Sequence, residues 1–174
     1  MSNGKGISAI MVSIILLAVS IGMAVAYAST MMGWFGSAIN IVKIDASDSK
    51  IILNPSTNQV RIQIVLRNMG TTTIKVSSIS IDAEEQKKVF INFTSNNVVM
   101  YLQGQNQSLG SGSVYGSSKD VTISDNYLLI PQGCIATIYF ETPLSTQLWK
   151  LGNVYRALAF YDGGIFDFKI SAVY

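Results

Sequence analysis

"KGISAIMVSIILLAVSIGMAVAYASTMMGWF", from Lys5 to Phe35, carries no charge after its first residue, and the next charged side chain is Lys43. Coiled as a helix from Ile7 to Phe35, the stretch would be about 43 Å long, more than the ~30 Å hydrocarbon core of a bilayer. Its apolar residues fall on every side. Ile10, Ile14, Leu17, Ile21 and Val25 mark one face, and Met11, Ile15 and Val19 mark another. A helix apolar all round belongs in lipid or inside protein, not on the surface of a globule. The polar exceptions Ser8, Ser13 and Ser20 can each return a hydroxyl to a preceding carbonyl. Gly22, Ala24, Ala26 and Ala28 are small enough to let a neighbouring helix come close.

Three uses fit such a segment: a cleaved secretory signal, a permanent anchor, or a helix made for assembly. A secretory signal has an apolar region of about 7–15 residues before its small-residue cleavage site, and this run is about twice that long. Cleavage near "AYAS" would give an ordinary secreted β-sandwich module, and an uncut helix would give an anchored one.

The short polar leader "MSNGKG" ends in Lys5-Gly6 and joins the apolar run without a gap. That arrangement resembles the class III signal of archaeal type IV pilin-like proteins. The resemblance implies that a prepilin peptidase cuts after Gly6 and leaves Ile7 as the first mature residue. Residues 1–6 are then a leader, 7–38 an assembly and transmembrane helix, and 39–174 an outer domain. It also implies two locations. The precursor sits in the cell membrane, with Lys5 on the cytoplasmic side by the positive-inside preference. A membrane assembly machinery then builds an extracellular surface filament, a homopolymer in which the helices pack at the axis. Ile10, Met11, Ile14, Leu17, Ile21 and Val25 are the residues expected to pack in that core.

Bacterial pilins and archaellins commonly carry an acidic residue at the fifth mature position, and archaellins favour glycine at the third. Met11 and Ala9 stand at those positions here. The expectation is therefore an adhesion-type pilin. The alternatives are an archaellin of a swimming filament and a membrane-anchored accessory β-sandwich protein.

Beyond about Ile41 the period changes to two. In "VRIQIVLR", Val60, Ile62, Ile64 and Leu66 face one way and Arg61, Gln63 and Arg67 the other, with Val65 out of step; this is a half-buried strand. "NMGTTT" from Asn68 reads as a turn, with Gly70 free to take positive φ. "IKVSSISID" alternates at Ile74 and Val76, then shifts phase to Ile79 and Ile81, which predicts a β-bulge near Ser77-Ser78. More short strands follow with turn chemistry between them. Gln103–Ser118 is rich in Gly, Ser, Asn and Gln and reads as a long exposed loop. "YDGGIFDF" reads as a hairpin turning at Asp162-Gly163-Gly164. The fold class expected is α+β: a long N-terminal hydrophobic α-helix, then an antiparallel immunoglobulin-like β-sandwich. "IQIVLRNMGTTTIKVSSISID" and "LLIPQGCIATIYF" resemble strand–turn–strand units of archaeal filament subunits. Tyr174 ends an alternating strand and is expected to be tucked into the sheet.

The 174 residues carry a net charge of +2 and only 13% charged side chains, so no basic stripe for nucleic acid is expected. There is no histidine and one cysteine, Cys134. Histidine triads, histidine metal sites and an intrachain disulfide are thereby excluded. Cys134 begins an apolar strand and is expected to be a buried, inert thiol. Glu84-Glu85 beside Lys87-Lys88 reads as a solvated turn face. No catalytic constellation, cofactor site or metal site is expected. Two sequons, at Asn92 and Asn106, are candidate glycosylation sites; Asn106 is favoured because it falls in the expected loop.

Overall fold

The structure is a computed structural model that describes residues 4–38, 41–94, 97–104, 108–144 and 148–174, without the side chains of 4–8 and 34–38. The chain divides into two compact units, Met1–Asn40 and Ile41–Tyr174.

The first unit is one helix, α1 (Gly4–Ala38). Its polar residues are absorbed by its own backbone, as the short hydroxyls suggest. Ser13 donates to the Ala9 carbonyl at 3.0 Å and Ser20 to Leu16 at 2.7 Å. Ser29 donates to Val25, and Thr30 lies within reach of both Ala26 and Tyr27. A hydroxyl bonded back in this way adds no polar demand to a lipid or protein surroundings.

The second unit is built from twelve strands: β1 (Ile44–Asp45), β2 (Lys50–Asn54), β3 (Gln59–Asn68), β4 (Ile74–Asp82), β5 (Lys88–Thr94), β6 (Asn97–Leu102), β7 (Ser108–Gly116), β8 (Thr122–Ser124), β9 (Tyr127–Ile130), β10 (Ile135–Pro143), β11 (Val154–Tyr161) and β12 (Gly164–Val173). The hydrogen-bonded path β4-β5-β6-β7-β10-β3-β2-β12-β11 returns to β4, closing a nine-stranded ring. β9 and β8 extend from the other end of β4, and β1 adds to the end of β3.

A long apolar helix followed by a β-rich domain is therefore the architecture. The immunoglobulin-like sandwich is corrected in two respects. The sheet closes on itself instead of forming two separate layers, which leaves the ring without free edges. And β12 runs parallel to β2, pairing Ser171 with Lys50 and Val173 with Ile52, so the domain is mixed, not wholly antiparallel.

The alternation in β3 works as read: Val60, Ile62, Ile64 and Leu66 are fully buried inside the ring. Val65, out of step, is buried on the other face. β10 pairs with β3 here, Thr137 opposite Val65, but the other edge of β3 lacks a strand partner, because β2 pairs only as far as Gln63 and β1 begins at Arg67. Ser49 fills the gap. Its hydroxyl accepts the Val65 N–H at 3.0 Å and donates to the Val65 carbonyl at 3.3 Å, so both main-chain groups are satisfied by one side chain. The predicted bulge is present. Phe160 pairs with Ser78 but Tyr161 with Val76, leaving Ser77 unopposed, its hydroxyl donating to the Phe160 carbonyl at 3.1 Å. The Tyr161–Gly164 pair closes the β11–β12 hairpin around Asp162 and Gly163.

Four expectations fail, each for a local reason. Most of the expected loop at Gln103–Ser118 is β7, paired with β6 and β10. Its inward glycine at 112 is there for space, since a Cβ would lie 2.6 Å from Cε1 of the buried Phe140 ring. Gly70 is absent from the positive-φ residues; it is glycine because a Cβ would run into the Ile41 carbonyl oxygen. Cys134 is half-buried against the core instead of fully enclosed. Tyr174 lies past the last strand and is 78% exposed.

Candidate functional site

The candidate assembly surface is α1. With about 100° between successive residues, Ile10, Ile14, Leu17, Ile21 and Val25 fall in one narrow stripe and Met11 lies on its flank. All six are exposed in the single chain, between 56% and 63%. So are Val12, Ile15, Leu16 and Val19 on the remaining faces. Ala9–Gly33 has a mean hydropathy of 2.6 and is long enough to cross a membrane. No acidic residue opens the helix and no basic residue closes it, so from Ala9 to Gly33 it offers a partner no charged group. A Cβ at Gly22 or Gly33 would meet nothing within 4 Å, so the glycines serve no packing need inside the chain. Lys5, Gly6 and Ile7 lie in the first turns of α1; the side chains of Lys5 and Ile7, and the leader residues 1–3, fall outside the described residues.

Of the two sequons, Asn92 is exposed on β5 between Ser78 of β4 and Val99 of β6. Asn106 lies outside the described residues.

On the β-domain the charged residues form a second arrangement that sequence reading missed. Glu84, expected on a solvated turn, is only 19% exposed at its side chain. It sits in a 3-10 turn (Glu84–Gln86), where its Oε1 accepts from Asn153 Nδ2 at 2.5 Å and from the Tyr155 hydroxyl at 3.0 Å. Its Oε2 lies 3.3 Å from Lys150 Nζ. The Tyr155 hydroxyl also accepts the Lys150 N–H at 2.6 Å, and its ring meets Trp149 edge-on at 5.2 Å. The bonds from Asn153 and Tyr155 hold the Glu84 carboxyl below the ordinary glutamate range. Burial, with Glu84 beside it, pushes the Tyr155 hydroxyl up. These bonds clamp the 84–88 turn to the 148–155 segment. The remaining residues, 150 to 155, are far apart from Glu84 in sequence, so only the fold brings them together.

A depressed pKa means stability that is complete above the ordinary glutamate value of about 4.3 and lost as pH falls through the lower folded value. The midpoint of thermal unfolding is expected to fall over that acid window more steeply in the wild type than in Glu84→Gln. Parallel pH profiles for the two proteins would remove Glu84 from the account.

Among the described residues no group of three or more Cys, Asp or Glu side chains is placed to hold a metal ion. No family model matches the chain, and no curated protein matches it.

Proposed function

We propose that the chain is a non-enzymatic subunit of an extracellular archaeal type IV pilus-like filament serving adhesion. The observation that carries this reading is the 25-residue apolar segment Ala9–Gly33, none of which is buried within its own chain. So much apolar surface needs a cover, at roughly 25 cal/mol for each Å² taken from water. Lipid provides that cover for the precursor, and other copies of the same helix provide it in the filament. An amphipathic helix would suit neither setting, whereas one apolar all round suits both in turn. The prepilin peptidase cuts between Gly6 and Ile7, and the β-domain forms the outer sheath. Glycans at Asn92 and Asn106 would face the outside, where they leave the helix bundle undisturbed.

The test is peptide mass mapping of native protein, taken separately from sheared surface material and from membranes. Sheared material is expected to begin at Ile7 and to carry added sugar mass at Asn92. Protein confined to membranes with its leader intact would make the helix a permanent anchor and the chain an accessory membrane protein. Bare asparagines at both sequons would remove the glycan part alone.

A further inference from the structure

We propose that the β-domain binds a neutral saccharide in the groove between the β8–β9 and β11–β12 turns. This site involves no residue of the helix, so it holds whether the chain polymerises or stays anchored.

The groove has a volume of about 490 Å³ and its walls come from three local features. The first is the bulge in β4, which puts Ser77 opposite no partner and sets it in the floor beside Lys75. Bulges recur where a sheet must re-aim side chains toward a ligand. The second is the β8–β9 turn, where Asp125 and Asn126 take positive φ of 52° and 66° and carry Asp125 and Tyr127 to the rim. The third is the β11–β12 hairpin, which contributes Tyr161 and Asp162. Tyr161 lies flat on its own turn because residue 163 is glycine; a Cβ there would stand 2.5 Å from the ring's Cε2. The aromatic wall is thus set before any ligand arrives.

The charges in this groove are left available. Several opposite charges elsewhere on the domain are joined, as in Arg61–Glu141, Arg67–Asp48, Lys88–Asp82 and Arg156–Asp167. Lys75, Asp125 and Asp162 line one groove, yet among the described residues none of them forms an ion pair. Among the described residues, the side-chain bond made by these three charges is Ser124 Oγ to Asp125 Oδ2 at 3.3 Å, while Ser77 of the floor donates to the Phe160 carbonyl.

Ligand chemistry follows by elimination. Two carboxylates against one ammonium disfavour an inorganic anion. A calcium ion takes 6–8 oxygen ligands, and this groove offers two carboxylates with an ammonium beside them. A wholly apolar ligand would bury the charges without partners. A sugar meets every group: its hydroxyls donate to the carboxylates and accept from Lys75 in charge-assisted bonds. Its C–H face lies against the rings of Tyr127 and Tyr161.

The experiment uses the full chain in a polyoxyethylene detergent, whose headgroup contains no sugar. Saturation-transfer NMR is run against a panel of neutral hexose mono- and oligosaccharides, with calcium chloride and inorganic phosphate titrated separately. At least one saccharide is expected to bind saturably. Asp162→Asn and Lys75→Met, whose side chains hold no partner among the described residues, should each weaken it by about tenfold, the effect of one charge-assisted bond. Tyr115→Ala, an exposed tyrosine on β7, should bind as wild type. The proposal is overturned by a panel with no saturable binding, or by undiminished binding in both Asp162→Asn and Lys75→Met. Calcium or phosphate binding that those variants abolish would also overturn it, in favour of an ion site.

Discussion

Leu17→Asp is expected to abolish filaments while leaving the precursor in the membrane. Leu17 lies in the middle of the apolar stripe and is 63% exposed in the single chain. Packed among copies of itself it would be buried, and a carboxylate there would need a partner. None is within reach, because no basic residue occurs from Gly6 through Val42. A buried, unpaired charge costs several kcal/mol after relaxation, and a filament repeats that cost in every subunit. In the bilayer the same carboxylate costs about 2.5–3.5 kcal/mol at mid-helix, and the remaining apolar residues of Ala9–Gly33 can bear it.

Position along the helix separates this from a general loss of apolar character. Met11→Asp should be milder, since Met11 lies one turn from the amine that the proposed cleavage would create at Ile7, and a neighbouring subunit's amine could pair with it in the proposed filament. Leu17→Met, of similar volume, should assemble normally. The measurement is the yield of sheared filaments against the membrane pool, for each variant beside wild type. A normal filament yield from Leu17→Asp would take the stripe out of the filament core.

The helix was legible because its signal is one-dimensional: a run without charge needs no knowledge of tertiary partners. Strand positions such as Val60 to Leu66 were legible for a similar reason, since alternation reports one buried face. Even the bulge at Ser77 showed as a slip of phase between Val76 and Ile79. How the strands join was not legible. A two-layer sandwich and a closed ring both bury one face of each strand, so the pattern is the same for both. The parallel placement of β12 beside β2 joins residues more than a hundred positions apart and leaves no mark in either segment. β7 was misread because a glycine such as Gly112 has two possible causes, a flexible loop or a lack of room. Only the position of Phe140 decides between them. The Glu84 clamp and the groove at Tyr161 were hidden for the same reason: each is assembled from distant turns whose residues look like ordinary surface.

Asn68→Ala is expected to cost the β-domain about 3–5 kcal/mol, from the hydrogen bonds left unmade. Asn68 is fully buried at the end of β3, where three segments meet. Its Nδ2 donates to the carbonyls of Thr72 at 2.7 Å and Ile130 at 2.9 Å, and its Oδ1 accepts the Gly70 N–H at 2.9 Å. Its main chain is bonded to the turn before β10: its N–H donates to the Cys134 carbonyl and its carbonyl accepts the Gly133 N–H, both at 3.0 Å. Gly133 takes φ +72° to close that turn. One amide therefore supplies two donors and one acceptor to main-chain groups, two in buried bonds and the Thr72 carbonyl in a partly buried one. Alanine would orphan all three, and each buried orphan costs about 1–3 kcal/mol before relaxation. Asn68→Asp separates this from simple loss of volume. The aspartate keeps the shape but turns an oxygen toward the two carbonyls, so at neutral pH it should be no more stable than alanine. On acidification its neutral carboxyl can donate one bond, and it should recover part of the loss while Asn68→Ala does not. Urea unfolding in detergent, followed by tryptophan emission, reads both variants, with an unchanged slope marking a true loss of stability. A shift below about 1 kcal/mol for Asn68→Ala would mean that water or a rearranged turn satisfies these groups, and that the junction is not held by Asn68.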